Sequence, residues 1–195
     1  PLGSLDDHVY VLEAAEIDTL VYDPSVFEDV AAALKERVPA LKNLLALGAT
    51  EIGEDYMALA ATFEPQPLVA PDIGPDDIAS VNFTGGTTGK SKGVMLSHDN
   101  VVYNALNVLP ALGYDDMAVY LHAAPMFHLA DMASTFALTM AAGVHVIVPR
   151  FDVDPVLHAI ATHRVTHLIL VPTMVNLLIS SDRIHDYDLS SCKRL

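Results

Sequence analysis

The sequence predicts an α/β fold, with a mostly parallel sheet and flanking helices. Strand-like and helix-like segments alternate from about residue 5 to residue 63, and again after residue 97. Residues 166–171, which end in the apolar run 168–171, are predicted to form a buried strand. Because parallel neighbours must be joined by a crossover, usually a helix, the alternation indicates βαβ units.

The predicted helices rest on local start and stop signals. Ser25 and Glu28 have the Ser-x-x-Glu spacing of a capping box, so a helix is predicted to begin there and to stop before Pro39. Ser97 is predicted to cap the next long helix, and Pro155 to occupy the first position of a later one. Two further helices are predicted at 55–61 and 172–179. The predicted strands are 19–22, 44–47, 81–83, 94–96, 143–149 and 166–171.

Charge and composition restrict the partners. The chain has 25 acidic and 10 basic residues, and its formal charge of −15 disfavours nucleic acid and anionic membranes. No run reaches the ~18 consecutive apolar residues that a membrane helix needs. The single Cys192 cannot form an internal disulfide, which fits a cytoplasmic location. The nine histidines lack paired ligand spacing, so no metal site is predicted.

Residues 83–93 read Phe-Thr-Gly-Gly-Thr-Thr-Gly-Lys-Ser-Lys-Gly and have the composition of a phosphate-binding loop. Glycines let backbone N–H groups face a ligand, hydroxyls donate to phosphate oxygens, and lysine adds a mobile positive charge. A Walker A loop is one reading of Gly89-Lys90-Ser91, but Thr84 stands where its first glycine belongs. The apolar residues 94–96 also predict a strand where a Walker loop opens a helix, so a hairpin is favoured.

This loop resembles the signature of the adenylate-forming enzymes, Tyr/Phe-Thr-Ser-Gly-Thr-Thr-Gly-x-Pro-Lys-Gly. Nine of the eleven places match, and Ser97-His98 follows as in the family. Gly85 replaces the usual serine and Ser91 the usual proline. A second landmark, Pro125-Met126-Phe127-His128, is similar to the family segment that ends a strand. The stretch from residue 150 to residue 173 is also similar, so the resemblance covers nearly all of residues 5–195.

The resemblance implies the site residues. The residues expected to hold the ATP phosphates are Thr84, Gly85, Gly86, Thr87, Thr88, Gly89 and Lys92. His128 is expected to act in catalysis at the mouth of the acyl pocket. From its sequence context alone, a histidine beside an aromatic residue in an apolar segment is more often a hydrogen-bonded packing residue.

The resemblance also implies a function for the parent protein. The parent is expected to be an acyl-CoA synthetase of fatty acid metabolism. Such an enzyme joins a carboxylic acid to ATP as an acyl-adenylate and then transfers the acyl group to coenzyme A, with Mg²⁺ bridging phosphate oxygens. Residues 1–4 resemble a tag scar, and residues 5–195 are interpreted as a fragment of the AMP-binding N-terminal domain. The adenine loop, ribose-binding aspartate and catalytic lysine of the family are expected downstream, so the fragment itself should be inactive.

Two other interpretations stay open. The chain could be a non-catalytic subdomain that self-associates or binds nucleotide, and a P-loop NTPase remains possible only if a helix follows Lys92.

Hydrophobic residues make up 52% of the chain and its mean hydropathy is +0.36, which is high for a self-contained domain. A homodimer or larger species is therefore expected.

Overall fold

The computed structural model describes residues 3–67, 72–85 and 90–194. Its backbone forms two compact units, Pro1–Leu96 and Ser97–Leu195. The first unit contains, in chain order, α1 (Leu5–Ala14), β1 (Thr19–Tyr22), α2 (Pro24–Arg37), β2 (Asn43–Ala46), β3 (Glu54–Asp55), α3 (Tyr56–Ala60), β4 (Ile78–Phe83) and β5 (Gly93–Ser97).

A parallel three-stranded sheet, in the order β1-β2-β3, forms the centre of the first unit. Leu44 and Ala46 of β2 are buried together with Leu12 of α1 and with Ala31 and Leu34 of α2. The two helices thus cover the sheet with their apolar faces, as the alternation of elements predicted. The strands β4 and β5 form a separate two-stranded sheet.

The second unit is built around another parallel sheet, in the order β7-β6-β8. Its elements are α4 (His98–Leu112), β6 (Val119–His122), α5 (Leu129–Met140), β7 (Val144–Ile147), α6 (Val153–His163), β8 (His167–Leu168), α7 (Pro172–Ile179) and a 3₁₀ turn at Asp182–Asp186. The buried side chains of α6 pack against β6 and β8 in one cluster, and those of α4 and α5 form a second cluster with Tyr120.

The observed elements confirm the predicted α/β class with parallel sheets. Two helix starts were wrong. Asp23, not Ser25, caps α2, because its side chain accepts a hydrogen bond from the Ser25 N–H and Pro24 takes the first helical position. Pro155 is the third residue of α6 rather than its first. Both differences leave proline inside the first turn, where its missing N–H breaks no helical bond.

Candidate functional site

A pair of hydrogen bonds closes the base of the predicted phosphate loop. The Thr84 N–H donates to the carbonyl oxygen of Lys92 over 3.0 Å, and the Lys92 N–H donates to Oγ1 of Thr84 over 3.3 Å. These two residues directly follow β4 and directly precede β5. The connection is therefore the tip of a hairpin, as its sequence predicted.

The strand β5 also excludes the Walker A reading. A helix would have to follow Lys92 in a P-loop NTPase, but Gly93–Ser97 is a strand and α4 begins only at His98. The P-loop interpretation is therefore wrong. Ser97 caps α4 as predicted, in a capping box with Asn100.

Glycine is required at position 93, at the base of the hairpin, because the side chains of β4 leave no room for a Cβ atom. A Cβ atom there would come within 2.9 Å of Cγ1 of Val81 and 3.2 Å of Cζ of Phe83. The first distance is shorter than ordinary packing permits, and the aromatic ring of Phe83 would have to move as well. The last glycine of the signature thus lets the arms of the hairpin approach each other.

A tyrosine from α1 supports the returning arm of the loop. The Tyr10 hydroxyl donates to the carbonyl oxygen of Ser91 over 2.8 Å, and Nζ of Lys90 lies 4.9 Å from the centre of the Tyr10 ring. The ring also meets Phe83 edge to face, with 6.2 Å between centroids. Tyr10 is therefore attached to both arms of the hairpin.

The structure describes three of the seven residues predicted to hold phosphate. Thr84, Gly85 and Lys92 are exposed at the hairpin. The other four, Gly86, Thr87, Thr88 and Gly89, lie outside the described residues. Their assignment remains a prediction from the sequence.

His128 lies at the start of α5. It occupies the N-cap position of this helix without a side-chain cap bond, and its imidazole is exposed and lies 4.5 Å from the neighbouring Phe127 ring. The strand β6 ends at His122, so the predicted landmark follows the strand by a turn rather than ending it. Phe127 is 75% exposed, which makes it one of the most exposed large apolar side chains in the described chain.

A cavity of about 450 Å³ lies beside this segment, at the carboxyl ends of β6 and β7. Parallel α/β sheets bind ligands outside these strand ends. Phe127 contributes to the wall, whereas His128 is not among the lining residues that the structure describes. The walls are mostly apolar and are formed by His122, residues 123–127, residues 147–151 and Met174.

A buried histidine–aspartate pair lies directly behind the segment. Nδ1 of His122 is 2.7 Å from Oδ2 of Asp131, and both side chains are at most 1% exposed. The hydroxyl of Tyr120 donates to the other carboxylate oxygen over 2.8 Å. Burial and this hydrogen bond to Asp131 raise the pKa of Tyr120. Both carboxylate oxygens thus have a hydrogen-bond partner in the core.

A second histidine extends the pair toward the surface. Nε2 of His122 is 2.8 Å from Nδ1 of His145, and the two rings are stacked with an interplanar angle of 9°. Oγ1 of Thr139 lies 3.1 Å from Nε2 of His145 and 2.8 Å from the carbonyl oxygen of Thr135. Burial, followed by the charge of His122, lowers the pKa of His145.

Metal-binding clusters and membrane-spanning helices are absent from residues 3–67, 72–85 and 90–194. Within these ranges, no group of three His, Cys, Asp or Glu side chains is arranged to hold a metal ion. Over the same residues, no helix combines the length and the apolar character needed to cross a bilayer.

Comparison with known proteins identifies the class. The model of the AMP-binding enzyme family matches residues 1–195, and the chain belongs to this family. Its parallel sheets and flanking helices agree with this family, as the sequence predicted.

Curated relatives are CoA ligases of different specificity. The chain is 37% identical to the medium/long-chain fatty acid–CoA ligase FadD8 of Mycobacterium tuberculosis, over 98% of the chain and 34% of that protein. It is 35% identical to a feruloyl-CoA synthase of Amycolatopsis, over 97% of the chain and 35% of that protein. The chain therefore spans about a third of the length of these relatives.

Solved structures agree with this assignment. ATP-bound MatB from Rhodopseudomonas palustris superposes with a TM-score of 0.80 at 30% identity, over 98% of the chain and 37% of that structure. The amide bond synthetase McbA from Marinactinospora thermotolerans gives a TM-score of 0.83 at 31% identity, over 100% of the chain and 38% of that structure. The N-terminal domain of FACL13 from Mycobacterium tuberculosis, at 22% identity and a TM-score of 0.85, supports the fold alone.

Proposed function

We propose that this chain supplies the ATP-phosphate loop and part of the carboxylate pocket of an acid–CoA ligase. The observation that carries the proposal is the hairpin, in which Thr84 and Lys92 bond to each other at the base and are both exposed. Its support is the family membership of the chain and the CoA ligases among its relatives.

The proposed reaction has two steps. A carboxylate oxygen attacks the α-phosphorus of ATP, an acyl-adenylate forms, and pyrophosphate leaves. The thiol of coenzyme A then attacks the acyl carbonyl, a thioester forms, AMP leaves, and the thiol proton goes to solvent. The loop would act in the first step, because hydroxyl, N–H and ammonium donors can stabilise the negative charge that develops on pyrophosphate.

The residues of the loop suit phosphate rather than a metal ion. Threonine, glycine N–H groups and lysine are donors, whereas Mg²⁺ requires oxygen ligands and is commonly bound through substrate phosphates. When bound with ATP, Mg²⁺ would neutralise phosphate charge. Lys92 would then hold and orient the phosphate group that leaves.

The proposed acid is a medium- or long-chain fatty acid. Supporting this class are the relationship to FadD8 and the mostly apolar cavity of about 450 Å³ beside Phe127. In this proposal His128, exposed next to Phe127, lines the route by which the carboxylate reaches ATP. The feruloyl-CoA synthase relative makes an aryl acid the second candidate. Comparing octanoate, palmitate and ferulate as substrates separates the two, because turnover of ferulate alone would exclude the fatty acid.

The 195-residue chain alone is proposed to be inactive, because it spans about a third of the length of its relatives. Tests of the reaction therefore use the complete ligase that contains this chain. A cytoplasmic location stays a prediction from the single cysteine.

Replacing Lys92 tests the proposed function. In the complete ligase, Lys92→Ala should reduce carboxylate-dependent ATP–pyrophosphate exchange about 10²- to 10³-fold, the range for removing one preorganised donor. Lys42→Ala is the matched control, since Lys42 is an exposed lysine in the same unit. Normal exchange in the Lys92 variant would remove the loop from the mechanism.

A further inference from the structure

The buried network behind Phe127-His128 has a feature that packing alone does not require. A charged carboxylate is costly to bury and is stable only with full hydrogen bonding. Asp131 obtains this from Tyr120 and His122, within a helix whose other buried residues are Ser134, Ala137 and Leu138. The network therefore fixes one arrangement of side chains at this place.

The network ties together the two ends of the segment that carries His128. His122 is the last residue of β6, and Asp131 is the third residue of α5. Between them, the main-chain bonds are local turns, from the Ala123 N–H to the carbonyl oxygen of Leu121 and from the His128 N–H to that of Pro125. The side chains of residues 125–130 are exposed. The 2.7 Å bond between His122 and Asp131 thus joins the ends of an otherwise exposed connection.

Asp131 also holds His128 directly through its main chain. Its N–H donates to the carbonyl oxygen of His128 over 3.1 Å, while its carboxylate is anchored in the core. A shift of Asp131 would therefore move the backbone of His128. The neighbouring Phe127, which lines the cavity, belongs to the same turn.

The hydrogen bonds also connect the two rings in series. A carboxylate only accepts, so His122 donates its Nδ1–H to Asp131. Nε2 of His122 and Nδ1 of His145 share a 2.8 Å hydrogen bond. The Thr139 hydroxyl donates to the carbonyl oxygen of Thr135, so Nε2 of His145 donates to Oγ1 of Thr139. One buried carboxylate thus orients both imidazole rings.

From this geometry we propose that Asp131 and His122 are positioning residues, which hold segment 123–130 so that Phe127 and His128 face the carboxylate substrate. The proposal rests on the proposed ligase function. His145 extends the support of His122 to the neighbouring strand β7, whose last residue, Ile147, also lines the cavity.

The test is Asp131→Asn in the complete ligase, with steady-state kinetics of the adenylation step. We expect kcat to fall about 10²-fold, the loss associated with a misplacement of about 1 Å, and the KM for the carboxylate to rise. The KM for ATP should stay unchanged, because the residues proposed to hold its phosphates belong to segment 84–92. In NMR spectra, the downfield Nδ1 proton of His122 in the short bond to Asp131 should be lost or shifted upfield.

Two controls separate positioning from stability. Asp116→Asn makes the same charge change at an exposed site of the same unit and should leave both KM values unchanged. If Asp131→Asn does not fold, Tyr120→Phe removes only the hydroxyl that bonds to Asp131 and should give the same pattern with a smaller amplitude.

The outcomes are distinct. A lower kcat and a higher KM for the carboxylate, with an unchanged KM for ATP, support the positioning role. A smaller active fraction with both KM values unchanged would show a purely structural role and overturn the proposal, as would wild-type kinetics in the variants. A wild-type ligase without carboxylate-dependent exchange would instead refute the proposed function on which the proposal rests.

Discussion

Tyr10 offers a test of how the phosphate loop is held in shape. Tyr10→Phe removes only the hydroxyl, and therefore only the 2.8 Å bond to the carbonyl oxygen of Ser91. The ring contact with Phe83 and the position of Lys90 over the ring can persist. A single uncharged hydrogen bond contributes about 0.5–1.5 kcal/mol. If the whole contribution supports the ATP-binding shape of the loop, the KM for ATP rises about 2- to 13-fold.

A second substitution at the same position separates the two contacts. Tyr10→Leu also removes the aromatic face below Lys90, and a cation–π contact at an exposed site contributes about 0.5–1 kcal/mol. A further increase in the KM for ATP by a factor of about 2 to 5 is expected. The assay is carboxylate-dependent ATP–pyrophosphate exchange in the complete ligase at varied ATP.

Ser91→Pro should partly compensate for the loss of the Tyr10 hydrogen bond. Proline fixes φ and so reduces the conformational freedom of the loop, which stabilises a compatible backbone by about 0.4–1 kcal/mol. In the Tyr10→Phe background it should recover part of the lost affinity for ATP. Tyr103→Phe, at a tyrosine 61% exposed, is the control. A Tyr10→Phe enzyme with the KM of the wild type, or an equal effect of Tyr103→Phe, would refute a role for Tyr10 in the loop.

Three further predictions concern the 195-residue chain. Incubated with ATP, Mg²⁺ and a fatty acid, it should form no acyl-adenylate, and acyl-AMP detected by mass spectrometry without contaminating ligase would contradict the proposed inactivity. It should sediment as a dimer or larger species, because side chains such as Met117 and Phe127, about three quarters exposed, offer apolar surface to a second copy; a monomer of about 21 kDa at tens of micromolar that binds no apolar dye would contradict this. Its free energy of unfolding should fall as the pH is lowered from 7 to 5, because burial lowers the pKa values of His145 and His167 below the ordinary 6.5, so that the unfolded chain takes up protons that the folded chain does not. Urea unfolding across this range measures the slope, and stability that stays constant or increases toward pH 5 would show that these histidines do not control it.

Elements with unambiguous local signals could be predicted from the sequence. The strand 19–22 and the helix 172–179 were predicted with the bounds that the structure shows. The start of α2 was wrong because Asp23 and Ser25 are both good capping residues. Pro24 decides between them, since proline is favoured at the first helical position and has no N–H to donate. The error therefore lay in the choice between two nearby capping residues, and no long-range contact was involved.

The last predicted strand was too long for a different reason. Residues 166–171 end in four apolar side chains, but β8 contains only His167 and Leu168. Its partners in β6 are Tyr120 and Leu121. The next residues lead into α7, which begins at Pro172, and a residue before proline is restricted to extended backbone without needing a partner strand. Thr166 and His167 are buried whereas Val171 is 49% exposed, so apolar character predicted neither the burial nor the strand pairing of this segment.

The buried network around Asp131 could not be predicted from the sequence patterns, although the sequence contains one signal for it. Asp131 is the one charged residue of α5, and a carboxylate placed on the buried face of a helix requires donors nearby. The identity of the donors depends on strand register, which the sequence does not show. In the structure Tyr120 is paired with His145, and His122 lies two residues further on the same face of β6. A shift of one residue between β6 and β7 would place His145 on the opposite face and break the series from Asp131 to Thr139. The contact between His122 and His145 thus depends on the parallel register of β6 and β7.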